Sequence, residues 1–249
     1  MFPILYIGPF VVQAPGFFIL VGLWMGIYLS GRNALRFNVD KKLLYNLVFT
    51  SILVSIIGAR LVYVARFPQI FASSPLGIVS LNSTMMDLQG GFLAGILVAF
   101  IYGQRKNLPL WGTLDALVPG LSFFAAAIGL AHMASGDAYG SPTDLAWGID
   151  LWGESRHPTQ ILEFVTALVL FIIVYPGSRL VSWIQDLHDH PSVLFLIFIA
   201  LSAASRIFLE AFRGDSAVIF GRLRIAQLAA WIILAFSLWL LQKRVTVPR

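Results

Sequence analysis

Two arginines stand inside apolar stretches of the sequence, where charged side chains are rare. Arg60 and Arg206 are each flanked on both sides by mostly apolar residues. A charged side chain at membrane depth costs about 2.5–3.5 kcal/mol on insertion scales, so each arginine needs a partner or a purpose. Arg206, Glu210 and Arg213 are spaced i, i+4 and i+7, which places them on one face of a helix.

The binding of a phosphate ester is the chemistry that suits these residues. An arginine stays charged, and its planar guanidinium group donates two hydrogen bonds to phosphate oxygens at once. The alternative is a structural Arg206–Glu210 pair that only joins helices. The choice between a phosphate site and a structural pair depends on how deep in the membrane the arginines lie. That depth depends on the helices that carry them.

The composition indicates an integral membrane protein. Of the 249 residues, 58% are hydrophobic and only 12% are charged, against about 25% charged residues in a soluble globular domain. The absence of cysteine excludes disulfides, an enzyme thiol and Cys-ligated metal or iron–sulfur sites. The net charge of +5 lies in short clusters between apolar runs, which is typical of a membrane protein, and no nucleic-acid partner is expected.

Seven apolar stretches predict an all-α integral membrane protein with one transmembrane domain over residues 1–249. A helix needs about 20 mostly apolar residues to cross a hydrocarbon core of about 30 Å. The fourth stretch contains Asp115 and Pro119, and a polar segment at about 133–157 follows it. The predicted spans are about 14–31, 43–65, 89–103, 111–132, 158–176, 191–212 and 225–242.

The basic residues in the loops predict the orientation. Cytoplasmic loops of membrane proteins carry an excess of lysine and arginine. One set of alternate loops and termini holds ten basic residues, including all four lysines, and the other set holds five. The N-terminus is therefore expected outside and the C-terminus in the cytoplasm. Residues 1–13 have no basic region or small-residue cleavage site, so no signal peptide is expected.

Two Gly-xxx-Gly pairs lie within predicted spans, Gly22 with Gly26 and Gly91 with Gly95. Such pairs allow two helices to approach closely. Glycine is also frequent in membrane helices in general, so the sequence leaves both interpretations open.

The predicted orientation places the charged residues in the outer half of the bilayer. At about 1.5 Å of rise per residue, Arg60 and Arg206 lie roughly 25 Å and 22 Å from the cytoplasmic ends of their spans. Gln89 opens the third span and His132 closes the fourth span on the same side. Polar groups from four spans thus reach the level of the outer headgroups. We interpret Arg60, Arg206 and Arg213 as a binding site for a phospholipid headgroup.

Several short motifs, in their order and spacing, resemble the prolipoprotein diacylglyceryl transferase family over most of the chain. Each motif is short, and all lie at the ends of predicted spans or in the loops between them. The matching stretches are Ile7–Pro9, Gly58–Leu61, Gly90–Gly91, Gly136–Asp144 with Trp147–Gly148, Arg156–Gln160 with Glu163, and Arg206–Glu210 with Phe212–Arg213.

The resemblance implies a seven-span enzyme at the outer leaflet of the bacterial inner membrane. The family transfers the diacylglyceryl group of phosphatidylglycerol to the lipobox cysteine thiol of a prolipoprotein, which forms a thioether and releases glycerol phosphate. The implied partners are phosphatidylglycerol or a related phospholipid, the lipobox segment of a prolipoprotein signal peptide, and the membrane. No cofactor or metal is expected. The substrate supplies the thiol, so the lack of cysteine in this chain is compatible with the reaction.

The chain departs from the family pattern at positions regarded as catalytic or lipid-orienting. A family tyrosine, a histidine, an arginine, two asparagines and a glutamate are replaced, in that order, by Pro15, Gln89, Gly129, His132 with Ser135, and Asp137. The retained residues are Arg60, Gly140, Arg206 and Glu210.

The departures change which residue can accept the thiol proton. The side-chain amide of Gln89 does not titrate near neutral pH, so Gln89 is expected to donate hydrogen bonds to glycerol or phosphate oxygens. An imidazole titrates at about pH 6.5, so His132 is the candidate base, with a hydrogen-bonded structural histidine as the alternative. Glu210 and Asp137 are weaker candidates, because a carboxylate needs a raised pKa for this role.

The remaining candidates are expected to bind the headgroup. Arg60 and Arg206 would hold the phosphate, with Glu210 orienting Arg206. Arg213 would add positive potential at the entrance, and Gly140 would allow close approach of the backbone. Asp137 completes this set of substrate-binding candidates.

Other polar residues have structural interpretations. His157 precedes Pro158, which suits the first turn of a helix, so a capping role is favoured for this segment, which includes Glu163, over a catalytic one. A solvated loop is likewise favoured over a metal site for the cluster of Asp186, His188, Asp189 and His190.

Three functions remain open at this stage. The first is transfer to prolipoproteins, and the second is transfer from a glycerophospholipid to a different acceptor. The third is a non-catalytic lipid-binding or lipid-moving protein. The retained arginines are compatible with all three, whereas the changed proton-accepting positions are the reason to keep the second and third.

Overall fold

The computed structural model describes residues 2–72, 75–79, 83–175, 191–219 and 223–246. In these residues, seven helices begin and end within four residues of the predicted spans. They are α1 (Ala14–Ala34), α2 (Lys41–Arg66), α4 (Leu88–Arg105), α5 (Leu110–Ser135), α6 (Thr159–Val174), α7 (Val193–Glu210) and α8 (Ile225–Thr246), with a short α3 (Pro68–Ala72) after α2.

Five of the described helices, namely α1, α2, α5, α7 and α8, are long and apolar enough to cross a membrane. Helix α4 is continuous but contains four glycines and ends in polar residues, and α6 has only 16 residues. The all-α membrane fold is confirmed. The number of crossings and the orientation stay predictions.

Short antiparallel strand pairs, which the sequence pattern does not predict, lie before α1, between α5 and α6, and between α7 and α8. Among the described residues, each strand has two to four residues. The pairs are β1 (Ile4–Ile7) with β2 (Phe10–Gln13), β3 (Ile149–Leu151) with β4 (Glu154–Arg156), and β5 (Val218–Ile219) with β6 (Leu223–Arg224).

The chain forms two compact units. The first unit comprises Met1–Asn33 and Leu114–Arg249, and the second comprises Ala34–Thr113. The single transmembrane domain stays a prediction.

Helices α2 and α4 of the second unit pack backbone to backbone through the Gly91/Gly95 pair. A Cβ atom added at Gly91 would lie 2.7 Å from the Ser55 carbonyl oxygen, and one at Gly95 would overlap Ser55 Oγ. Asp87 caps the start of α4, because its Oδ1 accepts a hydrogen bond from Gly90 N at 2.7 Å. The Gly91/Gly95 pair is therefore a contact between α2 and α4.

Helices α1 and α5 of the first unit pack through the other pair. A Cβ atom added at Gly22 would overlap that of Ala127, and one at Gly26 would lie 3.0 Å from the Gly120 carbonyl oxygen. Helix α5 continues through Pro119. A proline has no N–H to donate to the carbonyl four residues earlier, and Asn33 Nδ2 of α1 donates to that oxygen, Asp115 O, at 3.0 Å.

Asp115, predicted to lie within a span, caps a neighbouring helix. It is fully buried, and its carboxylate accepts hydrogen bonds from Ser192 N at 2.6 Å and Phe195 N at 2.8 Å. These amides belong to the start of α7, where the first N–H groups of a helix have no partner within the helix. The positive end of the helix dipole also stabilises the negative carboxylate.

The close packing of α1 and α5 predicts unequal effects of two glycine substitutions. Gly120→Ala would place a methyl group on Gly26 O and Ser30 Oγ, so we expect it to lower stability by about 1–3 kcal/mol. The matched control is Gly16→Ala, because no atom lies within 4 Å of an added Cβ there. Thermal unfolding in detergent would measure both, and equal midpoints would contradict the close contact.

Candidate functional site

The predicted residues of the first unit lie at the C-terminal ends of α5 and α7 and in the loops that follow them. His132 occupies the last turn of α5, and Glu210 is the last residue of α7. Asp137 and Gly140 follow α5, and Arg213 follows α7.

Arg206 and Glu210 form an ion pair along α7. Arg206 Nε lies 3.0 Å from Glu210 Oε2, and the two side chains are 39% and 1% exposed. The N–H group is not aligned with the oxygen, so Glu210 Oε2 accepts no hydrogen bond from the described residues. Burying a carboxylate is costly unless it is paired and hydrogen-bonded. The pair therefore has an unused acceptor on one side and an accessible guanidinium group on the other.

Arg213 is bound to a carboxylate that the sequence analysis did not consider. Its Nε and Nη2 atoms donate to Asp215 Oδ1 and Oδ2 at 2.9 and 2.7 Å. Burial alone would lower the pKa of Arg213, but Asp215, together with the charges of Glu163 and Glu210, outweighs burial and raises that pKa. Asp215 thus offsets much of the positive potential expected from Arg213.

The polar segment after α5 is joined to the segment after α7 by backbone hydrogen bonds. Ser141 N donates to Phe212 O and Gly214 N donates to Tyr139 O, both at 2.8 Å. Gly140 pairs with Arg213 in this bridge. A Cβ atom at Gly140 would overlap the His157 carbonyl oxygen. The backbone of His157 occupies the space beside Gly140 in the structure, and a headgroup contact at Gly140 stays a prediction.

His132 is hydrogen-bonded to Glu163 of α6. His132 Nδ1 lies 2.7 Å from Glu163 Oε2, and the side chains are 29% and 19% exposed. Glu163, interpreted above as part of the start of a helix, is instead the partner of the candidate base. Helix α6 begins directly after Pro158, which is its N-cap residue and makes no side-chain capping hydrogen bond.

Asp137 is held close to the end of α5 by a local hydrogen bond. Ser135 Oγ donates to Asp137 Oδ2 at 2.8 Å, and Asp137 N donates to Ser135 Oγ at 3.2 Å. Ser135 and Asp137 both replace residues of the family pattern, so two of the departures from that pattern form this turn.

Arg60 and Gln89 belong to the second unit. Arg60 is buried, and its guanidinium group donates to the carbonyl oxygens of Ile78 at 3.0 Å, Met85 at 2.6 Å and Gly77. The group also lies 5.1 Å from the ring centre of Phe71. In this unit Arg60 therefore binds the described stretches 75–79 and 83–85 between α3 and α4, while Gln89 is exposed near the start of α4.

Two partners missed by sequence reasoning had weak signals. Asp215 stands two residues after Arg213, and its short spacing was the only indication of a pair. Glu163 lies on the second turn of α6, and His132 lies on the last turn of α5. Because one loop joins these two helix ends, the two side chains could be expected to lie close together. The cluster of Asp186, His188, Asp189 and His190 lies outside the described residues, and the described residues hold no metal-binding group of three or more such side chains.

Comparisons with known proteins give one consistent result. The family model for prolipoprotein diacylglyceryl transferase matches residues 3–242. A phosphatidylglycerol–prolipoprotein diacylglyceryl transferase of Synechococcus elongatus is 29% identical over 93% of this chain and 83% of its own length. The protein of that name from Symbiobacterium thermophilum is 30% identical over 94% of this chain and 89% of its own length.

The Arg213–Asp215 pair predicts an acid-dependent loss of stability. Burial alone would raise the pKa of Asp215, but Arg213, with a contribution from Arg206, outweighs burial and lowers it below the ordinary value of 3.8. A lowered pKa in the folded state adds stability above pH 3.8, and this contribution is lost as the pH falls through the folded value. Wild type should therefore unfold at a higher temperature than Asp215→Asn at pH 7.

The difference between these unfolding midpoints should shrink at pH 3. Asp144→Asn, at an exposed carboxylate of the polar segment, is the control and should unfold like wild type at both pH values. An equal gap between wild type and Asp215→Asn at pH 7 and pH 3 would contradict the charge interaction.

Proposed function

Because the chain belongs to the prolipoprotein diacylglyceryl transferase family, we propose that it transfers the diacylglyceryl group of phosphatidylglycerol to the lipobox cysteine thiol of prolipoproteins. The family makes this chain a transferase, and its apolar helices make it a multi-pass membrane protein. Its proposed location is the bacterial inner membrane, with the reaction at the outer leaflet.

The Arg206–Glu210 pair is the observation that carries this proposal. Glu210 lies on the Nε side of a guanidinium group that is 39% exposed. In the part of the chain that the structure describes, no acceptor occupies its Nη donors. A guanidinium group with two free donors binds a phosphate diester through parallel hydrogen bonds. The pair therefore supports a headgroup site rather than a purely structural role.

Buried acceptors without donors support a headgroup that carries hydroxyl groups. Glu210 Oε2 and Gln160 Oε1 are buried and accept no hydrogen bond from the described residues. A buried acceptor without a donor costs about 1–3 kcal/mol. The hydroxyl groups of a glycerol headgroup are donors, so phosphatidylglycerol would supply what these oxygens lack.

The proposed reaction is a substitution at carbon. The substrate thiol loses its proton to His132, and the thiolate sulfur attacks the glyceryl carbon that bears the phosphate. A sulfur–carbon bond forms while the carbon–oxygen bond to the phosphate breaks, and the leaving group departs as glycerol phosphate. Arg206 stabilises the charge that grows on the departing oxygen.

The other candidates keep narrower proposed roles. Asp137 and Gly140 shape the segment beside Arg213. Asp215 offsets much of the positive charge of Arg213. In the second unit, Arg60 and Gln89 remain proposed headgroup contacts. Arg60 already donates to three carbonyl oxygens, which leaves part of its guanidinium group for such a contact.

Arg206→Lys tests the function directly. Lysine keeps the charge but loses the planar pair of donors, so we expect kcat/KM to fall about 100-fold or more. Purified protein in phosphatidylglycerol liposomes would be given a lipobox peptide, and mass spectrometry would count thioether-linked diacylglyceryl groups. Arg32→Lys is the matched control, because Arg32 is an exposed arginine of the same unit. It lies in the last turn of α1 and is not one of the candidate site residues.

The outcomes of this assay separate the three functions. Transfer by wild type and Arg32→Lys, with loss in Arg206→Lys, supports the proposed function. Transfer to a different thiol or hydroxyl acceptor but not to the lipobox peptide would replace it with the second function. Headgroup binding without transfer to any acceptor would favour the third.

A further inference from the structure

The structure joins two residues that the family pattern does not pair. The family has an asparagine where this chain has His132, and His132 Nδ1 lies 2.7 Å from Glu163 Oε2. A carboxylate only accepts hydrogen bonds, so a hydrogen bond at this distance requires a proton on Nδ1. In a neutral imidazole that arrangement leaves the lone pair on Nε2. The ring nitrogen that does not face Glu163 is thus prepared to accept a proton.

Gly129 allows this pair to form. A Cβ atom added at Gly129 would lie 2.8 Å from both the amide nitrogen and the Cα atom of Phe164. The missing side chain therefore lets α5 and α6 approach closely at this level. His132 follows Gly129 by three residues, on the same face of α5, and Glu163 precedes Phe164. The arginine that the family carries at position 129 would not fit beside this backbone.

We infer that Gly129, His132 and Glu163 form one unit in which Glu163 positions His132 as the base for the substrate thiol. This inference rests on the proposed function and names the chemistry of its proton transfer. His132 Nε2 takes the proton from sulfur, and Glu163 stabilises the imidazolium ion that results. The proton then passes to the departing phosphate or to water. His132 is the catalytic residue, and Glu163 and Gly129 are positioning residues.

Other charged groups lie near this pair. Arg213 interacts electrostatically with Glu163 and with Glu210, and Arg206 and Asp215 belong to the same end of the unit. Asp137 lies just beyond α5 and is bonded to Ser135. The His157 ring packs edge-to-face against Phe212 with ring centres 5.1 Å apart, and His157 is the only other histidine in the described ranges. Variants of His132, Glu163 and His157 therefore assign the base.

Glu163→Gln is the central test. Glutamine keeps the size of the side chain and an oxygen that accepts the Nδ1 hydrogen bond, but it removes the negative charge. We expect kcat to fall about 10-fold or more, with little change in KM for phosphatidylglycerol. A purely structural role for Glu163 would lower the unfolding temperature without this selective loss of kcat.

A double-mutant cycle isolates the pair. His132→Asn restores the family residue and should lower kcat about 100-fold or more. Glu163→Gln added to His132→Asn should cost little more, because a positioning residue has no effect once its base is absent. His157→Gln is the histidine control and should keep the wild-type kcat.

Gly129→Ala tests the helix contact. Its methyl group would press on the Phe164 backbone and move Glu163 away from His132, so kcat should fall as in Glu163→Gln. Gly16→Ala is the control, because an added Cβ there meets no atom within 4 Å. Thermal unfolding would identify a Gly129→Ala protein that fails to fold. In that case the kcat of Glu163→Gln decides whether the inference holds.

The results distinguish failure of this inference from failure of the proposed function. Transfer by wild type, with unchanged kcat in Glu163→Gln, would overturn the paired base and leave the transferase. Additive losses in the double-mutant cycle would do the same. Absence of transfer by wild type would overturn the proposed function and this inference with it.

Discussion

A carboxylate buried among helices must find positive charge or hydrogen-bond donors, and this requirement organises the end of the first unit. Glu210 is 1% exposed, and its ion pair is with Arg206, one turn earlier on α7. Arg213 is held by Asp215 and interacts with the charges of Glu163 and Glu210. Each charge thus limits where the next can lie, so the arrangement is a network and not a set of separate pairs.

The same constraint acts elsewhere through backbone amides. Asp115 binds two amides at the start of α7, and Asp87 binds one at the start of α4. Both use N–H groups that a helix leaves unpaired at its first turn. In α5 the missing N–H of Pro119 is replaced by Asn33. These contacts let polar residues lie inside apolar helices, and they fix the start of α7, whose other end carries Arg206 and Glu210.

The helices could be predicted closely because apolar length is a local property of the sequence. The bounds of α2 and α4 lie within two residues of the prediction. The hairpins could not, since strands of two to four residues carry too little pattern. The Gly-xxx-Gly pairs were visible, but only packing partners such as Ser55 and Ala127 show that they are contacts.

The candidate site was predicted in its residue types more than in its pairings. Arg206 and Glu210 follow from helical spacing, and that prediction holds as an ion pair. The partner of His132 lies on another helix, and Asp115 was visible only as a charge within a span. Such partners depend on which helices are neighbours, which one sequence does not give. The headgroup-binding and catalytic roles of these residues stay proposals.

The departures from the family pattern are mutually compatible in space. Gly129 opens the approach that His132 needs to reach Glu163, and Ser135 donates to Asp137 at 2.8 Å. A buried charge often lowers stability relative to a well-packed apolar residue, so a protein that had lost its reaction would gain by losing Glu210, which is 1% exposed, together with its partner Arg206. This chain keeps both and places a titratable pair beside a carboxylate–guanidinium network. That combination favours a rearranged catalytic site over a decayed one.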